Sequence, residues 1–232
     1  MADANGNVTA GWATPTNAAM FRTLPAGQTD WAGTDPIQVT GAGEAVNGAD
    51  FQVGGDGTLK FIYASNTAGA MQMRAITRSA EGVWSDPVPL GASSNTDSNS
   101  NVVADFNAAG DGVAVWTTDA GGNRQMRIAN YTASTDSWAS TDSFSSHDVV
   151  PTDGSAGWGS QDVTVNDAAD VGPGWIDDTG PGTLATRNVG SVTWATEPLF
   201  RDGHGGMMTQ LAADKENQIV AVWHDQLGMD TS

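Results

Sequence analysis

The sequence predicts an all-β chain, an array of small antiparallel sheets placed about fifty residues apart, and three observations carry that reading. Aromatic side chains recur at two positions: Trp12, Tyr63, Trp116, Trp175 and Trp223 at the first, Trp31, Trp84, Trp138 and Trp194 at the second. The first position steps by 51, 53, 59 and 48 residues, the second by 53, 54 and 56, and the gap between them stays at 19 to 22. A period of this size is what arrays of small β units produce. Each first-position aromatic also sits in an apolar run that follows a short turn of Asn, Asp and Gly, clearest in "NAAGDGVAVW" from Asn107 to Trp116. Finally, the 29 glycines are spread through such turns without a collagen-like repeat, which suits many short strands.

Taken in order, residues 2 to 13 read as a turn at Asp3 to Asn7 and a strand through Trp12, followed by strands around Met20 to Leu24 and Trp31 to Val39. "TGAGEAVNG" then reads as a loop by its Gly and Asn content. The second repeat adds a leading strand, Asp50 to Val53, before a turn at Gly54 to Gly57, so a full unit holds four strands, the number in a propeller blade. Residues 91 to 101 are a polar, low-complexity loop, and the third repeat begins at "VVADF". Its outgoing connection, roughly Ser143 to Ser160, is the longest, and long loops in compact domains tend to carry function. The fourth unit starts at "QDVTV", and Pro173 in its second strand lacks a ladder donor, which predicts an edge or a bulge there. "MMTQLAADKENQIV" has helical propensity, but the repeat makes Thr209 to Ala212 a leading strand and Asp214 to Gln218 a turn.

The turn, the run ending "AVW", the second strand and the Trp before a Pro-containing stretch resemble the tandem repeats of secreted and surface bacterial β-propellers. "RSAEGVW" resembles a shortened Asp-box of sialidase-type propellers. The resemblance implies one β-propeller domain over residues 1–232, of four or five four-stranded blades, with repeats at about 1–47, 48–100, 101–159, 160–206 and 207–232. The first copy lacks its leading strand and the last its third and fourth strands, so an open strand edge invites self-association or truncation from a longer array.

Composition narrows the partners. Two lysines and seven arginines face 23 aspartates and four glutamates, a formal net charge of -18. That balance excludes a nucleic-acid partner, which needs clustered cations, and disfavours an anionic membrane surface. So much Asp fits turn chemistry and solubility, or a high-salt habitat. Without cysteine there is no disulfide framework, and no apolar run reaches membrane-spanning length. The chain begins inside a repeat and has no secretory h-region, so a secreted or cell-surface protein would have lost its signal.

Strand alternation gathers the loops between second and third strands, and the connections between units, on one face. That face takes Asp119 and Arg124, Asp177 and Asp178, His224 and Asp225, and the loops carrying His147, Trp158, Arg201 and His204. Trp158 with neighbouring acids suits a glycan or small polar ligand, whereas the eight repeat tryptophans read as packing residues. The three histidines adjoin or nearly adjoin an aspartate and could assemble a metal site, although no short ligand spacing marks one. Asp3, Asn5 and Asn7 alternate as calcium ligands would, as do Asn95, Asp97 and Asn99, without the Gly and distal Glu of an EF-hand; a hairpin turn explains the first set equally. Arg22, Arg74, Arg127 and Arg187 recur on third strands, which suggests a repeated salt bridge to Asp more than a carboxylate-binding ring.

No paired acid and nucleophile stands out, with only Tyr63 and Tyr131 as tyrosine nucleophiles. The reading is therefore a non-catalytic binding module without a required cofactor. A propeller glycosidase, and a structural repeat of an adhesin, filament or virion surface, are the alternatives.

Overall fold

One turn precedes the first-position aromatic strand in each of the five repeats, and local hydrogen bonding explains each copy; the same pair of backbone bonds also closes turns at Thr14 and Ser79. In the copies starting at Asp3, Gly54, Asn107, Asn166 and Asp214, the first residue's N–H donates to the carbonyl four residues on, and the fourth residue's N–H donates back to the first carbonyl. The fourth position is left-handed throughout: Gly6 (φ 84°), Gly57 (88°), Gly110 (86°), Ala169 (62°) and Asn217 (63°). This is the three-residue hairpin loop in which a type I turn ends on a left-handed residue, so glycine is favoured there and Ala169 costs roughly 1 kcal/mol. In four copies a side-chain oxygen of the first residue holds the loop: Asp3, Asn107, Asn166 and Asp214 each accept the N–H of the fifth residue at 2.8 to 3.0 Å.

The computed structural model describes residues 1–54, 57–67, 70–90, 102–120, 123–139, 156–177, 182–188, 191, 193–198, 205–214 and 216–226. Their strands form five sheets in which chain order and spatial order coincide. The first holds β1 (Val8–Ala13), β2 (Ala19–Leu24) and β3 (Ile37–Gln38). The second holds β4 (Ala45–Val53), β5 (Leu59–Thr67), β6 (Ala70–Arg78) and β7 (Val88–Pro89). The third holds β8 (Val102–Phe106), β9 (Gly112–Ala120), β10 (Asn123–Thr132) and β11 (Ser137–Trp138). The fourth holds β12 (Ala156–Val165), β13 (Val171–Asp177), β14 (Gly182–Thr186) and β15 (Ala195–Pro198), and the fifth β16 (Gly205–Ala213) and β17 (Ile219–Gln226). A 3-10 turn at Ala133–Thr135 is the one helical element among the described residues.

Several boundaries depart from expectation. The third strand of the first repeat shrinks to Ile37–Gln38, while β4 begins at Ala45, inside the stretch read as loop, and absorbs the extra residue in a bulge between Val46 and Gly48. Trp158 lies within β12, not in a loop. Pro173 is on β13, an interior strand. Val171 and Arg187 exchange both backbone bonds across β13 and β14, and two residues on the same exchange would need the N–H that proline lacks; regular pairing resumes at Gly174. The predicted fifth turn and its leading strand are present, since sheet pairing overrides the helical propensity of that stretch.

The chain divides into two compact units, residues 1–102 and 103–232. In the first, Ala19 and Phe21 of β2 pack on Leu59, Phe61, Tyr63 and Ile76 of the second sheet, with Phe21 set edge-on to Phe51 and Phe61 at 5.3 and 4.9 Å. Glu44 is buried beside this core. It accepts from Gly41 N–H, from the hydroxyls of Ser65 and Tyr63, and pairs with Arg74 at 3.3 Å. Burial, with the Glu44 charge next, pushes the Tyr63 hydroxyl well above its ordinary pKa. In the second unit Val113, Val115, Met126 and Ile128 of the third sheet meet Val163, Val165, Val171 and Ala185 of the fourth.

Among the repeat tryptophans whose side chains are described, the expectation of a packing role fails at Trp12. Trp116 is 3% exposed and Trp84 and Trp194 pack on the two cores, but Trp12 is 43% exposed. The third-strand arginines are not register equivalents either. Arg74 and Arg127 oppose the first-position aromatics Tyr63 and Trp116, whereas Arg22 opposes Ala10 and Arg187 opposes Val171. The partners seen are Glu44 for Arg74 and indole faces for Arg22 and Arg187.

Candidate functional site

The second unit has two ends, and the described residues among those read from the sequence onto the loop face lie at one of them. Arg124 pairs with Asp119 where β9 meets β10, Asp177 ends β13 opposite Ala156, and His224 and Asp225 oppose Met207 and Gly206 at the end of β17. Trp158 sits where the β12–β13 register slips between Ala156 and Gln161. The backbone thus brings Asp119 and Arg124 together, while the side chains of these residues fall outside the described part. Asp178, Arg201, His147, His204 and the set Asn95, Asp97 and Asn99 lie outside the described residues altogether.

Asp3, Asn5 and Asn7 are described, and they make a turn. Asp3 Oδ1 accepts the N–H groups of Asn5 and Asn7 at 2.9 and 2.8 Å, and its Oδ2 accepts the Asn7 side-chain amide at 2.7 Å. The Asn7 amide, ahead of the backbone donors, holds the Asp3 carboxyl below its ordinary pKa. Among the described residues no group of three His, Cys, Asp or Glu converges as a metal would need.

A formed concavity lies at the opposite end, about seven residues back along β9 from Asp119 and hence roughly 24 Å away. This cavity, of about 400 Å³, opens between the third and fourth sheets and is walled by Asp111, Asn130, Tyr131, Thr132, Arg187 and Asn188, with Val165 and Val171 at its apolar side. Its position follows from the turns. Asp111 and Ala169 come from successive copies of the β-turn, and Asn107 fixes the two copies together by donating from Nδ2 to the carbonyl of Asn166 at 3.0 Å. Asp105 adds a second tie, its Oδ2 accepting the Thr164 hydroxyl at 2.9 Å and the Val165 N–H at 3.0 Å.

Arg187 gives the cavity its chemistry. Its guanidinium carbon lies 4.5 Å from the centre of the Trp194 ring, and Nη2 donates to Asn130 Oδ1 at 3.5 Å. Stacking on an indole orients a planar, permanently charged donor fork without neutralising it. The phenol of Tyr131 donates to Asp136 at 2.6 Å, and Asp111 Oδ1 accepts the Ala133 N–H at 2.9 Å, so the third-sheet wall is held by its own strand ends. The cavity therefore offers one oriented cation, two side-chain amides, hydroxyls and an apolar flank. Sequence reading missed it, since Arg187 was grouped with other third-strand arginines; its usable signal was the Arg187 and Trp194 pairing across a short loop.

No protein-family model matches the chain, and no curated protein matches it by sequence. No described helix is long and apolar enough to cross a membrane. Among solved structures, the BP39L lectin from Burkholderia pseudomallei matches with a TM-score of 0.59 at 11% identity, over 97% of this chain and 68% of that one. A polysaccharide lyase, the PL25 ulvan lyase, matches with 0.54 at 10% over 97% and 66%, and the leech intramolecular trans-sialidase with 0.53 at 14% over 90% and 33%. The chain thus spans two thirds or less of the lyase and one third of the trans-sialidase, and what it shares with all three is the fold.

Proposed function

We propose that the chain is a non-catalytic carbohydrate-binding module, built as a β-propeller of four or five blades in an exported or surface protein. The observation that carries this is the 400 Å³ cavity holding Arg187 against Trp194. That volume is at the small end of the range for ligand pockets and suits one or two sugar rings. Sugars present hydroxyls to a guanidinium and amides and a C–H face to apolar walls. The fold likeness to a lectin supports the reading. The set read from the sequence, Trp158, Asp119, Arg124, Asp177, Asp178, Arg201, His224 and Asp225, is a second candidate surface for the same class of ligand.

A glycosidase reading draws on the fold likeness to a trans-sialidase. Two-carboxylate hydrolysis needs a pair of acids in one pocket, and the described lining supplies Asp111, already accepting from Ala133. A glycan array followed by titration on tryptophan fluorescence tests the proposal, because Trp194 adjoins Arg187. Binding should weaken about tenfold or more in Arg187→Ala, equivalent to about 1.4 kcal/mol, and Trp158→Ala separates the two ends. Silence of the array and of the fluorescence would remove the binding reading, and turnover of chromogenic glycosides would replace it with the enzymatic one.

A further inference from the structure

The sheets stack by one rule, and the rule leaves two faces uncovered. In the first unit the face of the first sheet bearing Ala19 and Phe21 packs on the second sheet's Leu59, Phe61 and Tyr63. In the second unit Val113 and Val115 of the third sheet pack on Val163, Val165 and Val171 of the fourth. The fourth then receives the fifth, and a Cβ on Gly172 would come within 2.6 Å of the Ile219 side chain. Counted from each turn, Val113, Val115, Gly172 and Gly174 occupy the same positions as Val220 and Val222. The first four are buried, whereas Val220 and Val222 are 45% and 63% exposed. Opposite Val220 and Val222 across β16 lie Ala212 and Gln210, also exposed.

The receiving face has the same history. Leu59 and Tyr63, on the face of the second sheet that takes the first, are 1% and 0% exposed, and Trp116, at the position of Tyr63, is 3% exposed. Their counterparts on β1, Val8 and Trp12, are 37% and 43% exposed. The chain therefore carries one donor face and one receptor face of a joint that it builds three times elsewhere, and each is apolar.

The geometry points to head-to-tail self-association, in which the Val220 and Val222 face of the fifth sheet of one copy docks on the Val8 and Trp12 face of the first sheet of a second copy. This contact uses sheet faces, not the hydrogen-bonding edge of β17. It is heterologous, so unmodified chains form closed rings or open chains of copies. Burying an indole and three valines drives it, and the mutual repulsion of two chains of net charge -18 opposes it, so association strengthens as salt screens the charge.

Sedimentation velocity of the whole chain across a wide concentration range, at low and high salt, provides the test. Dimers and larger species should appear and grow with salt, while Trp12→Arg and Val222→Arg, each on an exposed side chain, should run as monomers with the wild-type thermal midpoint. An equimolar mixture of the two variants restores one good contact per pair and should give a species of twice the monomer mass that grows no further. A wild-type chain that stays monomeric throughout would overturn the proposal, whatever then covers the two faces. A mixture that stays monomeric, or single variants that still assemble, would overturn it too.

Discussion

Asn107 donates its side-chain amide to the backbone carbonyl of Asn166, 59 residues later, and Asn166 repeats the gesture to the carbonyl of Asn217 at 2.8 Å. Turn chemistry and sheet stacking are thus joined in the second unit: Asn107 and Asn166, which close their own hairpin loops, also fasten them to the next. The backbone N–H of Asp167 donates to Asn217 Oδ1 at 3.0 Å and doubles the second fastening.

Asn166→Asp isolates that role. The carboxylate still accepts the Asp170 N–H, but both donor contacts, to Asn217 O and to Asp170 Oδ2, are lost and replaced by repulsion in a site only 2% exposed. The expected loss is about 2 to 3 kcal/mol, a fall of about 5 to 10 °C in thermal midpoint for a chain of this size. A midpoint within a degree of wild type would show that the relay contributes little.

Glu44 is the polar centre of the first unit, and two variants distinguish its partners. Glu44→Ala removes the counter-charge of Arg74 and an acceptor of the Ser65 hydroxyl and the Gly41 N–H together, at a cost of about 3 to 5 kcal/mol. Tyr63→Phe removes one long donor, 3.3 Å away, from an acceptor that keeps its other partners, and should cost about 1 kcal/mol or less. Denaturant midpoints at unchanged slope would measure both; equal losses would contradict the hierarchy.

Asp162 predicts a pH dependence of defined sign. It accepts Leu211 N–H at 2.7 Å and Val163 N–H at 2.9 Å, ties the fourth sheet to the fifth, and has its pKa raised above the ordinary 3.8, by burial first and by the Asp105 charge as well. The folded state thus holds this proton more tightly than the unfolded chain. Its contribution to stability is greatest below the ordinary carboxylate range and declines as pH rises through the raised folded value. Asp162→Asn, which retains an acceptor for Leu211, should gain stability relative to wild type as pH is raised from 3 towards neutrality. Thermal midpoints of the two proteins that stay parallel over that range would refute the assignment.

The sequence by itself determined the five turns, the strands that follow them and their spacing of 51, 53, 59 and 48 residues, because a left-handed fourth residue, an Asx oxygen and alternating apolar side chains all act within a few residues of chain. Tertiary structure decided which faces those strands cover. Trp12 and Trp116 have the same local setting and differ from 43% to 3% exposure, a difference that neither repeat's own sequence encodes. It also placed Pro173 inside a sheet, where one missing donor is tolerated between bonds on either side, and opened a cavity beside the Arg187 and Trp194 pair, since that opening depends on how the third and fourth sheets stand apart. Burial and concavity belong to pairs of sheets brought together from distant repeats, and no local pattern in either repeat carries them.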